Sequence, residues 1–178
     1  MGRKFGATQS PLLVSVRSGA PFSMPGMMET VLNVGLNDET VKGLAAMAGS
    51  DRFAWDSYRR LLQMFGKTVL DIDGDLFANP LHELQAAKGY KGDLDMTAED
   101  LRGLADQFKQ VILEQTGKPF PQDVHDQLWG AVGAVFGSWQ SERAKVYRRL
   151  NDIPGGWGTA VNIQAMVFGN MGDTSATG

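Results

Sequence analysis

The residue with the most chemical promise in this chain is an arginine. The run Leu12-Leu13-Val14-Ser15-Val16 is apolar and β-rich, and it delivers Arg17 into a stretch of small residues. That stretch passes through Ser23-Met24-Pro25-Gly26 before ordered structure is expected to resume. A strand that hands a cation to a glycine-containing turn is one way of building an anion site, because a guanidinium fork and backbone N–H groups can meet the same phosphate. Gly26 can admit a phosphate close to the backbone, and Ser23 and Thr30 offer hydroxyls. Met24, Met27 and Met28 suit an adaptable pocket wall or a core. By spacing alone, the same residues read equally as a surface arginine, a plain turn after Pro25 and capping hydroxyls.

Other titratable groups offer less. His82 and His125 are isolated, with no second histidine or cysteine at ligand spacing, so no metal site is expected on them. Asp71, Asp73 and Asp75 alternate like a calcium loop, but His82 stands where such a loop requires a bidentate glutamate. The acidic run therefore reads as a helix terminus. Gly155-Gly156-Trp157-Gly158 lacks the lysine and spacing of a P-loop, and Trp157 reads as a packing anchor.

Composition narrows the classes. A chain of 178 residues with 43% apolar content can bury a core and is expected to form one domain. A net charge of −3 argues against a general nucleic-acid binder. The short basic pairs Arg59-Arg60 and Arg148-Arg149 read as solvated helix faces. The absence of cysteine excludes disulfides, thiolate metal sites and a cysteine nucleophile. No signal-peptide pattern follows Met1, and no apolar run approaches the roughly 20 residues that span a bilayer. A soluble protein of the cytoplasm, or of an organelle, is expected, with neither a membrane nor nucleic acid as partner.

These residues need a scaffold, and its outline is visible in the periodicity. Residues 1–36 read as β and loop. Asn37 or Asp38 can cap a short helix through Ala48. Ala54, Tyr58, Leu61, Leu62, Phe65, Val69 and Ile72 form one apolar face of a long helix. A shorter helix over Leu76 to Lys88 must hold Pro80 in its first turn or be interrupted there. Thr97 with Asp100 makes a capping-box start for a helix closed by Gly117. Val124 to about Gln140 and Ser141–Leu150 are two further helices, and Thr159 to Phe168 alternates as a strand.

Six strings go beyond spacing: LLVSVRSGA, SMPGMMETVLNVGLND, RFAWDSYRRLLQMFG, AVGAVFGSW, RAKVYRRLNDIP and GTAVNIQAMVFGNMG. Together they resemble the pyruvate, phosphate dikinase family, over essentially the whole chain, and in particular part of its nucleotide-binding region. The resemblance implies an α+β fold, a partial ATP-grasp domain with a mixed β-sheet portion and an inserted helical subdomain. Residues 1–36 and 123–178 would belong to the β-containing part, and 37–122 to the helical subdomain.

The family interconverts ATP, phosphate and pyruvate with AMP, pyrophosphate and phosphoenolpyruvate, through a phosphohistidine on a swivelling domain. On that resemblance, Arg17 contacts the nucleotide phosphates and stabilises charge during transfer. Gly26, Met27 and Thr30 fall in the phosphate-side loop, and Gln164, Met166 and Val167 in the hinge beside adenine. The full-length family member is expected to be a homodimer that uses Mg2+ with ATP. The family's lysine is expected upstream of Met1, and its magnesium and phosphate ligands downstream of Gly178, so these residues alone read as an inactive fragment. The phosphohistidine motif GGMTSHA does not occur, and neither His82 nor His125 inherits its role. The ending TSATG departs slightly from the family's TSGTG. A related dikinase, such as a phosphoenolpyruvate synthase or an antibiotic phosphotransferase, is the alternative, with a non-enzymatic helical binding module a further one.

Overall fold

The structure, a computed structural model, describes residues 2–170. Alternation of apolar residues produces three strands: β1 (Val14–Ser18), β2 (Thr30–Val34) and β3 (Val161–Ala165). Their order in the sheet is β2-β1-β3. Both pairings are antiparallel, which corrects the expectation of a mixed sheet; among the described residues the one parallel contact is an isolated bridge between Phe5 and Leu12. The register slips between the pairs Val14–Val34 and Val16–Val31, which leaves an extra residue on β2. Asn33 stands in that interval with φ 61°, the local geometry of a β-bulge. Val16, Val31 and Val34 are fully buried on the inner face.

Six helices complete the described chain: α1 (Thr40–Ala48), α2 (Asp51–Thr68), α3 (Asp75–Lys88), α4 (Ala98–Thr116), α5 (Val124–Ser138) and α6 (Glu142–Leu150). Their ends follow local chemistry. Ser50 caps α2 by accepting from the Phe53 N–H at 3.2 Å. Thr97 and Asp100 form a reciprocal capping box at α4. Asp123 caps α5 by accepting from the His125 N–H at 2.7 Å.

Helix α2 is the spine. It packs against α1, α4 and β2, and Ala54, Tyr58, Leu61, Leu62 and Phe65 are buried along it. The helix stops at Thr68, short of the last two apolar positions of the expected face. Asp71 turns the chain at φ 54°, yet Ile72 still reaches the core through its own backbone bond to Gly66. Gly66 admits Phe77 of α3: a Cβ there would lie 2.4 Å from the ring. Pro80 sits in the second turn of α3, which runs on through it, correcting the expectation of a first-turn position or a break. Asp73 accepts from the Asp75 N–H at 3.0 Å, so the acidic run does mark a helix start.

Helix α5 crosses the inner face of the sheet and touches all three strands. Buried Gln127 stitches it to the chain after β2: it accepts from the Gly35 N–H at 3.0 Å and donates to the carbonyls of Leu36 (2.9 Å) and Pro121 (2.8 Å). One apolar core joins strands and helices. A second, smaller cluster gathers Met24, Trp139 and Ala144, with Met27, Met28, Tyr147 and Ile153 around it.

Candidate functional site

The hairpin of β1 and β2 builds a cleft of about 450 Å3 on its outer side, lined by Arg17, Phe22, Ser23, Gly26 and Thr30 among others. Arg17 lies within the strand, two residues before the loop begins at Gly19. Its register partners are Thr30 on β2 and Asn162 on β3, and residues directly opposite in a ladder share a face. Arg17 is exposed, and its Nη2 donates to Gln164 Oε1 at 3.1 Å. The neutral amide orients the guanidinium without neutralising it.

The far wall of the cleft is a tight turn. The Met27 N–H donates to the Met24 carbonyl at 3.1 Å, with Pro25 and Gly26 between them. Gly26 has φ 71°, and proline followed by a left-handed glycine is the signature of a type II turn. A Cβ on Gly26 would meet no atom within 4 Å, so the space over its backbone is open. Met24 is buried beside Trp139 and Ala144, so it anchors the turn in the second cluster instead of lining a base pocket alone. Met27 and Met28 pack around that same cluster.

Among the residues that line this cleft there is one cation and no carboxylate. Glu29, the nearest acid in sequence, is paired with Arg143 of α6 and lines a neighbouring groove. The cleft is therefore suited to an anion. It is not suited to a metal: among the described residues no group of three or more His, Asp or Glu is placed to hold one, and these residues do not fit the magnesium that the resemblance implies.

The expected site residues separate into two groups. Arg17, Gly26 and Thr30 share the cleft, and Gln164 joins them through Arg17. Met27, Met166 and Val167 do not line it. The Met166 N–H is taken by the Leu13 carbonyl at 2.9 Å and its side chain packs against the main core. Val167, just past β3, is 91% exposed.

Sequence reasoning missed Arg143, whose Nε donates to the Met27 carbonyl at 3.2 Å and so braces the turn from α6. No spacing rule joins residues that far apart. It also misplaced half of each basic pair. Arg59 is buried and clasped by Asp56 (2.7 Å) and Asp93 (3.0 Å), while Arg60 stays half exposed. Arg148 is buried with its guanidinium 4.2 Å from the Trp139 ring. Arg59, Arg60, Lys67 and Arg143 contribute to a second groove of about 500 Å3, which meets the first at Thr30. Trp157 does pack, but on Phe22 at the surface and not in the core.

The family described as pyruvate phosphate dikinase, AMP/ATP-binding domain, matches residues 1–178. The chain is 57% identical over 178 residues to the pyruvate, phosphate dikinase of Clostridium symbiosum, covering 99% of this chain and 20% of that protein. It is 55% identical over 177 residues to that of Rhizobium meliloti, again 99% of this chain and 20% of the relative. To the chloroplastic pyruvate, phosphate dikinase 1 of Zea mays it is 58% identical over 178 residues, 100% of this chain and 19% of the relative. The chain thus spans about a fifth of the length of these relatives. With a cation-lined, carboxylate-free cleft and a family match along its whole length, this chain belongs to the pyruvate phosphate dikinase AMP/ATP-binding domain family.

Proposed function

We propose that these residues form the nucleotide-binding part of an enzyme that converts ATP, phosphate and pyruvate to AMP, pyrophosphate and phosphoenolpyruvate by way of a phosphohistidine. The single observation that carries the reading is the grouping of Arg17, the Gly26 turn and Thr30 around a cleft without a carboxylate. Arg17 meets the phosphates of the nucleotide and stabilises charge that builds up as the terminal groups depart. Gln164 holds the guanidinium in orientation, at 3.1 Å. Gly26 lets an oxygen approach the backbone, Thr30 donates its hydroxyl, and Met27 supports the turn from behind.

Adenine is assigned to the strand end at Gln164, Met166 and Val167. Because the Met166 N–H is already bonded to Leu13, recognition there falls on Val167 and on the carbonyl side of Met166. The fold is read as part of an ATP-grasp domain, with 37–122 as its helical subdomain and 1–36 with 123–178 as its β-containing part. The lysine and magnesium ligands of that pattern are assigned outside these residues, as are the swivelling phosphohistidine domain and the dimer contacts. No helix among the described residues is long and apolar enough to cross a membrane; the enzyme is assigned to the cytoplasm or an organelle as part of this reading.

The test uses the full-length protein. Arg17→Ala should slow formation of the phosphohistidine from ATP by about 10²–10³-fold, the scale of losing one preorganised charge-stabilising donor. The exchange between pyruvate and phosphoenolpyruvate should continue at its normal rate. An unchanged rate of transfer from ATP would show that Arg17 has been given the wrong role. The 178 residues alone should bind ATP with magnesium more weakly than the micromolar range in a calorimetric titration.

A further inference from the structure

Phe22, in the wall of the Arg17 cleft, stacks on Trp157 with ring centroids 5.3 Å apart and planes 16° from parallel. Phe22 belongs to the loop between β1 and β2 and lines the cleft; Trp157 belongs to the turn before β3. Both rings are half exposed, at 46% and 55%, so neither is there to fill the core. What the stack does is add a second join between two loops whose bases already meet at Gly19 and Ala160.

On one side, the Gly19 N–H donates to the Ala160 carbonyl at 2.7 Å, and Met24 is buried in the second apolar cluster. Between these anchors the loop 20–23 has three holds: Ala20 against the second apolar cluster, Phe22 on Trp157, and the Tyr147 hydroxyl on the Ser23 carbonyl at 3.5 Å. On the other side, the turn that carries Trp157 is held firmly. The Gly155 carbonyl accepts from the Trp139 indole N–H at 2.9 Å, and Trp139 itself is buried under Arg148. Phe22 thus rests on a ring whose own turn is tied to the buried Trp139.

We propose that Trp157 is a positioning residue: by stacking on Phe22 it clasps the loop 20–23 and keeps the wall of the Arg17 cleft preformed for a nucleotide phosphate. The inference rests on the nucleotide reading of that cleft. Its physical basis is entropic. A loop already ordered does not charge its ordering entropy to the binding step, so affinity rises without a new contact to the ligand. An offset, near-parallel aromatic pair supplies the hold.

Full-length Trp157→Ala, Phe22→Ala, the double variant and Trp157→Phe test it through three readouts. These are hydrogen exchange of the amides of 20–24 without nucleotide, ATP affinity by calorimetry, and the urea midpoint. Each alanine variant should speed exchange in the loop and weaken affinity by about two- to tenfold, the factor an aromatic pair is worth. The urea midpoint should stay put, the double variant should be no worse than either single one, and Trp157→Phe should restore both loop protection and affinity. Unchanged exchange overturns the clasp whatever the nucleotide does. Faster exchange with unchanged affinity overturns the positioning role. Arg17→Ala, measured alongside, tells the two failures apart, since it weakens binding if the cleft takes nucleotide and leaves it unaltered if the cleft does not.

Discussion

Arg143 Nε donates to the Met27 carbonyl at 3.2 Å, so the turn that carries Gly26 is braced by a helix that starts more than a hundred residues later. The same guanidinium pairs with Glu29 and holds that carboxylate in the neighbouring groove. One side chain therefore both shapes the anion cleft and removes an acid from it.

Replacing Arg143 with alanine should cost little stability and more function. The pair with Glu29 is partly exposed, at 48% and 32%, and such pairs contribute about 1 kcal/mol or less. Freeing Glu29 beside Arg17 should nevertheless weaken ATP binding by about three- to tenfold, through lost preorganisation and carboxylate repulsion. Calorimetric titration beside a urea unfolding curve separates the effects. A large fall in the urea midpoint with unchanged affinity would reverse this assignment.

Gln127→Leu should be strongly destabilising. The amide satisfies the N–H of Gly35 and the carbonyls of Leu36 and Pro121, and the residue is fully buried. An isosteric apolar side chain would strand buried backbone groups, at a cost of about 2–4 kcal/mol in total. The urea midpoint should fall in proportion while the slope of the transition stays constant.

Gly66→Ala probes the close approach of α3 to α2. Its Cβ would come within 2.4 Å of the Phe77 ring, which is fully buried and meets Phe108 edge-on. Overpacking of this kind costs about 1–3 kcal/mol. Combining it with Phe77→Leu should cost less than the sum of the two single changes, because the smaller side chain makes the space. Strict additivity in thermal or urea unfolding would place the strain elsewhere.

Acid stability should depend on Asp100. Its carboxylate accepts from the Lys88 ammonium, from the Thr97 hydroxyl (2.8 Å) and N–H (3.0 Å), and from the Tyr90 hydroxyl (2.9 Å). The Lys88 bond above all, then those of Thr97 and Tyr90, holds its pKa well below the usual carboxylate range, against the opposing effect of burial. A carboxylate depressed in the folded state stabilises at pH values above its unfolded pKa of about 4, and that contribution drains away as pH falls below it. Asp100→Asn should therefore be less stable than the parent at pH 7, with the gap closing steadily between about pH 4 and pH 2. Urea midpoints measured across that range would check it, and a gap independent of pH would contradict it.

Local order was readable where it is decided by neighbours in the chain. The capping box at Thr97 and Asp100 and the left-handed Gly117 delimit α4 by bonds to residues three or four positions away. The apolar periodicity of α2 follows from the same short range. Its overrun at Val69 and Ile72 shows the limit: both pack against the core, but Val69 only caps the helix and Ile72 follows the turn at Asp71. Pro80 shows the converse, a local breaker tolerated because Phe77 and Leu81 bury α3 against the core on either side of it.

The sequence by itself determined the family, most of the helices, the capping box at Thr97 and the succession from the Arg17 strand to the Pro25-Gly26 turn, since each is a matter of residue identity over a short span. Only the tertiary structure decided which cations face water and which are buried: Arg59 and Arg60 are adjacent and both reach Asp56 and Asp93, yet only Arg59 is covered. It also made the sheet antiparallel, set Arg17 opposite Thr30 and within reach of Gln164, and brought Arg143 to Met27. Those relations depend on how strands pair and how helices stack across long separations, where burial and hydrogen-bond satisfaction of the whole molecule outweigh the preferences of any one segment.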